Sequence, residues 1–133
     1  MKAFLPLLLL LAALFSSCRK RDLAQDHEVL IGKWQWVFTD GTGSPHHPNG
    51  NDYDPIADGR EYFIFFSSNG YYDVIDDGIL ESEGAIVHLS ESRVNLNGNG
   101  DVIEFQYGVR RDNEISVGDW PIECRSNIFK KVE

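Results

Sequence analysis

A chain of 133 residues, 42% hydrophobic, can build one globular core and one domain at most. Its formal charge is −9, and an acidic surface repels phosphate backbones, which argues against nucleic acid as a partner. The two cysteines, Cys18 and Cys124, stand in different settings and are not read as a disulfide pair.

Met1-Lys2 is a short charged start, and Phe4 to Phe15 is apolar apart from Pro6. A positive start, a short apolar run and small residues before a cut form the pattern of a secretion signal. The run is too short for a membrane-spanning helix, which needs roughly 20 residues. Residues 1–17 hold one basic residue, Lys2, and no acidic one, so the chain without them stands at −10.

Leu14-Phe15-Ser16-Ser17-Cys18 resembles the lipobox of bacterial lipoproteins, with Phe15 where leucine is usual. In that family the cysteine thiol is acylated, the chain is cut just before it, and the new amino terminus is acylated too. The resemblance makes Cys18 the lipid anchor and the membrane a partner. Cleavage without lipid is the alternative, and it would leave Cys18 free to bridge to Cys124. Arg19-Lys20-Arg21 follows, a basic tether that favours anionic head groups. Some lipoproteins reach the cell surface through acidic residues at this point, so the opposite sign implies a periplasm-facing position in the envelope. Within the tether, residues 18–29, the spacing of Leu23, His27 and Leu30 suits a turn or two of helix begun at Asp22 or Asp26. His27 reads there as a solvated residue.

From residue 30 to 133 the chain reads as one all-β domain. Trp34, Trp36 and Phe38 recur at period two, so one strand face carries all three. Candidate strands are 33–39, 60–67, 71–76, 79–89 with a candidate break at Gly84, 92–97, 101–110, 113–118 and 126–132. Turn signals such as Ser68-Asn69-Gly70, Asp76-Asp77-Gly78 and Asn97-Gly98-Asn99-Gly100 separate them. About eight strands joined to their neighbours predict a single antiparallel up-and-down β-barrel, because closure removes exposed edges. A sandwich gives similar hairpin signals.

One hairpin fixes a register. With Ser68-Asn69-Gly70 as the loop and Gly70 left-handed, Phe66 faces Tyr72 and Ile64 faces Val74. That choice gathers Tyr62, Ile64, Phe66, Tyr72 and Val74 on one face. It leaves Phe63 and Phe65 outside, as a patch for a neighbour or the N-terminal segment to cover. Ile103, Phe105, Tyr107 and Val109 form the second clear inward row.

Gly32-Lys33-Trp34 resembles the Gly-x-Trp opening of the lipocalin family. With the Phe66-to-Gly70 hairpin and the Phe129-Lys130-Lys131-Val132 ending, the chain is most similar to short bacterial lipocalin-like lipoproteins. The resemblance implies that Gly32 and Trp34 close one barrel end and that Lys131 packs across the indole. The alternative for Lys131 is a solvated charge. It also implies a pocket for a small hydrophobic ligand, lined by Trp36, Phe38, Tyr62, Ile64, Phe66, Phe105 and Tyr107, with the 40–59 loop as its lid.

Chemistry is sparse. His46, His47, Asp52, Asp54 and Asp58 share the long loop, but their spacing fits neither a calcium loop nor a zinc site, so no metal and no cofactor are expected. Cys124 has no activating neighbour and reads as inert. His88 lies between Val87 and Leu89 as a structural strand residue. With no nucleophile elbow, metalloprotease helix or phosphate loop, an enzyme is not expected. Two roles remain. One is a membrane-anchored lipocalin-like ligand binder. The other is a non-enzymatic periplasmic protein-interaction or envelope-maintenance module with a solidly packed barrel, its protein partner unspecified.

Overall fold

The computed structural model describes residues 27–41, 52–98, 100–123 and 125–132. The leader, Cys18, the basic tether, His46, His47 and Cys124 lie outside them. Eight strands follow a 3-10 turn, Glu28–Leu30: β1 (Gly32–Asp40), β2 (Tyr62–Phe66), β3 (Tyr71–Asp76), β4 (Ile79–Ser90), β5 (Arg93–Gly98), β6 (Val102–Arg111), β7 (Glu114–Gly118) and β8 (Ser126–Lys131). Each pairs antiparallel with the next, and β8 pairs with β1, so the sheet closes into an up-and-down barrel. All eight pairings lie within Gly32–Lys131, so the ladder closes without residues 1–26.

The β2–β3 register is the one burial demands. Phe66 faces Tyr72 and Ile64 faces Val74, and Gly70 takes a left-handed φ of 85°. Slipping by one residue would turn the buried Tyr72 and Val74 to solvent. Strand β4 is not broken at Gly84. Gly84 opposes Gly98, and a Cβ on Gly84 would meet the Asn97 carbonyl oxygen at 1.9 Å. The bare backbone lets β4 and β5 approach there, which the turn-forming reputation of glycine conceals.

The alternation breaks in β1. Trp36 opposes Phe129 but Phe38 opposes Ile128, so Val37 is the extra residue of a bulge. Trp34 and Trp36 are buried, whereas Phe38 is turned outward and 36% exposed. The expectation that Phe38 lines the interior is therefore corrected. Val109, expected inward with Phe105 and Tyr107, is 60% exposed at the end of β6, where another register shift falls.

The barrel has two unlike ends. At the base lie the 3-10 turn and the β2–β3, β4–β5 and β6–β7 turns. At the mouth lie Gly41 and residues 52–61 of the long connection, the Asp77-Gly78 turn and the described residues after β5 and β7; residues 42–51 of the expected lid lie outside the described residues.

Candidate functional site

The barrel axis is occupied by side chains. Trp34, Trp36, Ile64, Phe66, Phe105 and Phe129 are each 1% exposed or less, and Tyr62, Tyr72 and Tyr107 lie beside them. Six of the seven residues expected to line a pocket, all but Phe38, thus meet in the core. There they pack on each other: Phe66 and Phe105 lie edge to face at 5.4 Å, Trp36 and Tyr62 at 5.5 Å.

The base is sealed by the chain itself. Leu30 is fully buried, and its carbonyl accepts the Trp34 indole N–H at 2.8 Å. Lys131, paired with Trp34 across the closing seam, holds its ammonium 5.6 Å from the ring centroid. His27 is not solvated. It is 2% exposed, with Nδ1 at 2.6 Å from the Tyr107 hydroxyl and Nε2 at 2.8 Å from Nδ1 of His88. Burial pushes the Tyr107 phenol above its ordinary pKa. Its hydroxyl also reaches the Glu91 carbonyl at 3.3 Å.

The mouth is closed by side chains that reach in from loops. Trp120 stacks on Phe129 with ring planes 1° apart, and meets Tyr62 and Phe105 at 5.8 Å. Asn127, fully buried, anchors this segment: its amide donates to the Ile122 and Arg125 carbonyls and its oxygen accepts from Thr39. Tyr53 of the long connection pairs with Thr39 and sets its ring 5.3 Å from Trp36. Arg60 lies over both Trp36 and Tyr62, gripped by Asp76 through two hydrogen bonds of 3.0 and 2.8 Å. That grip holds the Asp76 carboxyl below its ordinary pKa. Burial, with Glu81 and Asp76 nearby, raises the Tyr62 phenol.

Two clefts flank Trp120. One of about 390 Å³ runs along Tyr62, Val74, Glu81, Ser82, Asp101 and Ile103. The other, about 530 Å³, lies outside the wall between Arg93, Glu104, Gln106 and the Asp119–Glu123 segment. Both have charged walls, unlike an apolar lipid cavity.

The loop carboxylates serve local structure. Asp52 accepts the Gly41 N–H, Asp54 the Ala57 N–H and Asp58 the Tyr53 hydroxyl. Among the described residues no three histidine, cysteine or acidic side chains gather as metal ligands. Sequence reasoning missed Trp120, Arg60 and the buried role of His27. The available signal for Trp120 was a large aromatic inside a Pro-containing loop; for His27, whose partners lie far along the chain, there was none.

Compared with known protein families, characterised proteins and solved structures, the chain gives no significant match.

Proposed function

We propose that the chain is a membrane-anchored, lipocalin-like lipoprotein of the bacterial envelope, held by Cys18 and facing the periplasm. Its role is contact rather than catalysis: an interaction or envelope-maintenance module built on a solid barrel. The observation that carries this reading is the filled axis, from Leu30 and Trp34 at the base to Trp120 at the mouth. A ligand-carrying barrel needs an enclosed apolar space of a few hundred Å³. Here aromatic rings take that space.

Native mass spectrometry of the chain purified from membranes, with a fluorescent fatty-acid titration, tests this. Bare protein apart from the anchor, and no probe binding, is the expected result. A stoichiometric lipid that survives removal of the anchor would overturn it. For the anchor itself, Cys18→Ala should release the chain from membranes, and persistent detergent partitioning would sink the lipobox reading.

A second reading keeps a ligand at the mouth. The 390 Å³ cleft beside Trp120 and Tyr62 favours it, with Glu81 and Asp101 on its wall. An occupant there would be small and amphipathic, with a cationic end toward the carboxylates. Quenching of Trp120 fluorescence by a small amine, absent in Trp120→Phe, would support this over the first reading.

A further inference from the structure

The plug at the base begins at a buried imidazole. His27 is 2% exposed, and its two ring nitrogens meet partners from different strands. Nδ1 stands 2.6 Å from the Tyr107 hydroxyl on β6, and Nε2 stands 2.8 Å from Nδ1 of His88 on β4. The backbone carbonyl of His27 accepts the Leu30 N–H at 2.9 Å and so closes the 3-10 turn. The Leu30 carbonyl in turn accepts the Trp34 indole N–H. Ring contacts at one residue thus fix the start of the seal.

Those contacts limit how many protons the site can hold. A ring nitrogen either donates or accepts, never both. The Tyr107 hydroxyl reaches the Glu91 carbonyl, so one consistent chain runs from the His88 N–H to His27, from the His27 N–H to Tyr107, and from Tyr107 to Glu91. The reverse chain has Tyr107 donating to His27 and His27 donating to His88. In both, a single proton lies between the two imidazoles. His88 is exposed, so an added proton on its outer nitrogen leaves the first chain intact and its charge in water. A second proton, on His27, breaks it. Two N–H groups then face each other across 2.8 Å, on two like charges, one of them buried. The closed arrangement takes up one proton where the open one takes up two.

The charged groups on the surrounding elements are solvated or paired. Glu28, next in sequence to His27, and Glu91, three residues past His88, are exposed, as is Asp112 in the β6–β7 turn. Their carboxylates act on the two rings through water and are screened there. Arg93 pairs with Glu104, and Arg110 and Arg111 lie near Glu114. Lys33 lies over Phe63 and Lys131 over Trp34.

We infer that His27, His88 and Tyr107 form an acid-released latch on residues 27–31, which opens when both imidazoles are protonated. Free histidine titrates near ~6.5, so the plug holds fully above about that pH. Below it the open state gains a proton that the closed state refuses, and the opening constant rises by up to about tenfold per pH unit. Release turns residues 27–31 from plug into connecting chain, roughly 17 Å when extended. Under the lipid-anchor reading that is added reach from the membrane. The latch itself does not depend on the anchor.

Hydrogen exchange of the purified full chain at about pH 7.5 and about pH 5, corrected for intrinsic exchange, tests this. The Leu30 and Ile31 amides, bonded to the His27 and Glu28 carbonyls, should lose protection by about tenfold or more at the lower pH. Amides of the β2–β3 ladder should keep theirs. His88→Gln, at an exposed position, supplies an amide that bonds to the ring without titrating. It should cut the loss to about threefold or less.

Equal protection of Leu30 and Ile31 at both pH values overturns the latch. An equal loss across the β2–β3 ladder also overturns it, since that is unfolding of the whole barrel. So does an undiminished loss in His88→Gln, which places the titrating group elsewhere.

Discussion

The two ends of the barrel are closed by different means. At the base a backbone segment folds under the sheet, and its seal is local: the Leu30 carbonyl meets the indole of Trp34 four residues on. At the mouth no segment crosses in this way among the described residues. Trp120, Tyr53 and Arg60 reach over the opening from three places along the chain, and clefts remain beside them. The base is therefore a plug bound into the core, and the mouth is a set of lids. Substitutions at the base should cost stability and give no access. Those at the mouth should cost less and open the interior.

The largest effect is expected from Trp34→Ala. It removes a fully buried ring and leaves the Leu30 carbonyl without its donor, a loss of about 3–5 kcal/mol by urea unfolding. Trp120→Ala should cost about 2–3 kcal/mol, less because Trp120 is only partly buried. Unlike Trp34→Ala, it should admit an environment-sensitive dye into the barrel. Equal dye uptake by both variants would break the contrast between plug and lid.

His27→Leu keeps the volume but drops the contacts to Tyr107 and His88. A loss of about 1–2 kcal/mol is expected, together with earlier cleavage by protease before Leu30. An unchanged protease pattern would mean that the apolar Leu30 alone holds the plug.

Asp76→Asn should be the mildest, about 1 kcal/mol, since its pair with Arg60 is partly open to solvent. Its pH signature is sharper. The Asp76 carboxyl titrates below its unfolded value of 3.8 in the folded chain. The pair therefore contributes stability above about pH 4 and loses it as pH falls below that. Unfolding measured between pH 5 and 2 should fall less steeply in Asp76→Asn than in the parent chain. Parallel curves would show that Arg60 is held by its rings rather than by the carboxylate.

The strands were legible because their turns are written in local chemistry. Asn69-Gly70 and Asp77-Gly78 place left-handed residues where hairpins need them, and Gly70 and Gly78 have φ of 85° and 81°. Closure was legible through the Gly32-x-Trp34 opening and the late Lys131. What failed did so for stated reasons. Phe38 continues the period-two pattern, and only a pairing with Phe129 and Ile128 that skips Val37 reveals the bulge. His27 is buried by Tyr107 and His88, 80 and 61 positions away, a distance at which no local pattern operates. Trp120 sits in a segment without periodicity, so its turn into the core depends on Asn127 behind it.

The seam between β1 and β8 also sets an order of events in time. Trp34 and Lys131 stand at opposite ends of the ladder in sequence, yet they are partners in space. A chain made from its amino end must hold its most indole-rich strand in waiting until the last strand is delivered. Such distant pairings are slow to form, and the waiting strand is sticky meanwhile. The dangerous moment for this molecule is thus the interval before Ser126–Lys131 arrives, and a truncation that removes this strand should convert a sealed cylinder into an aggregating ribbon.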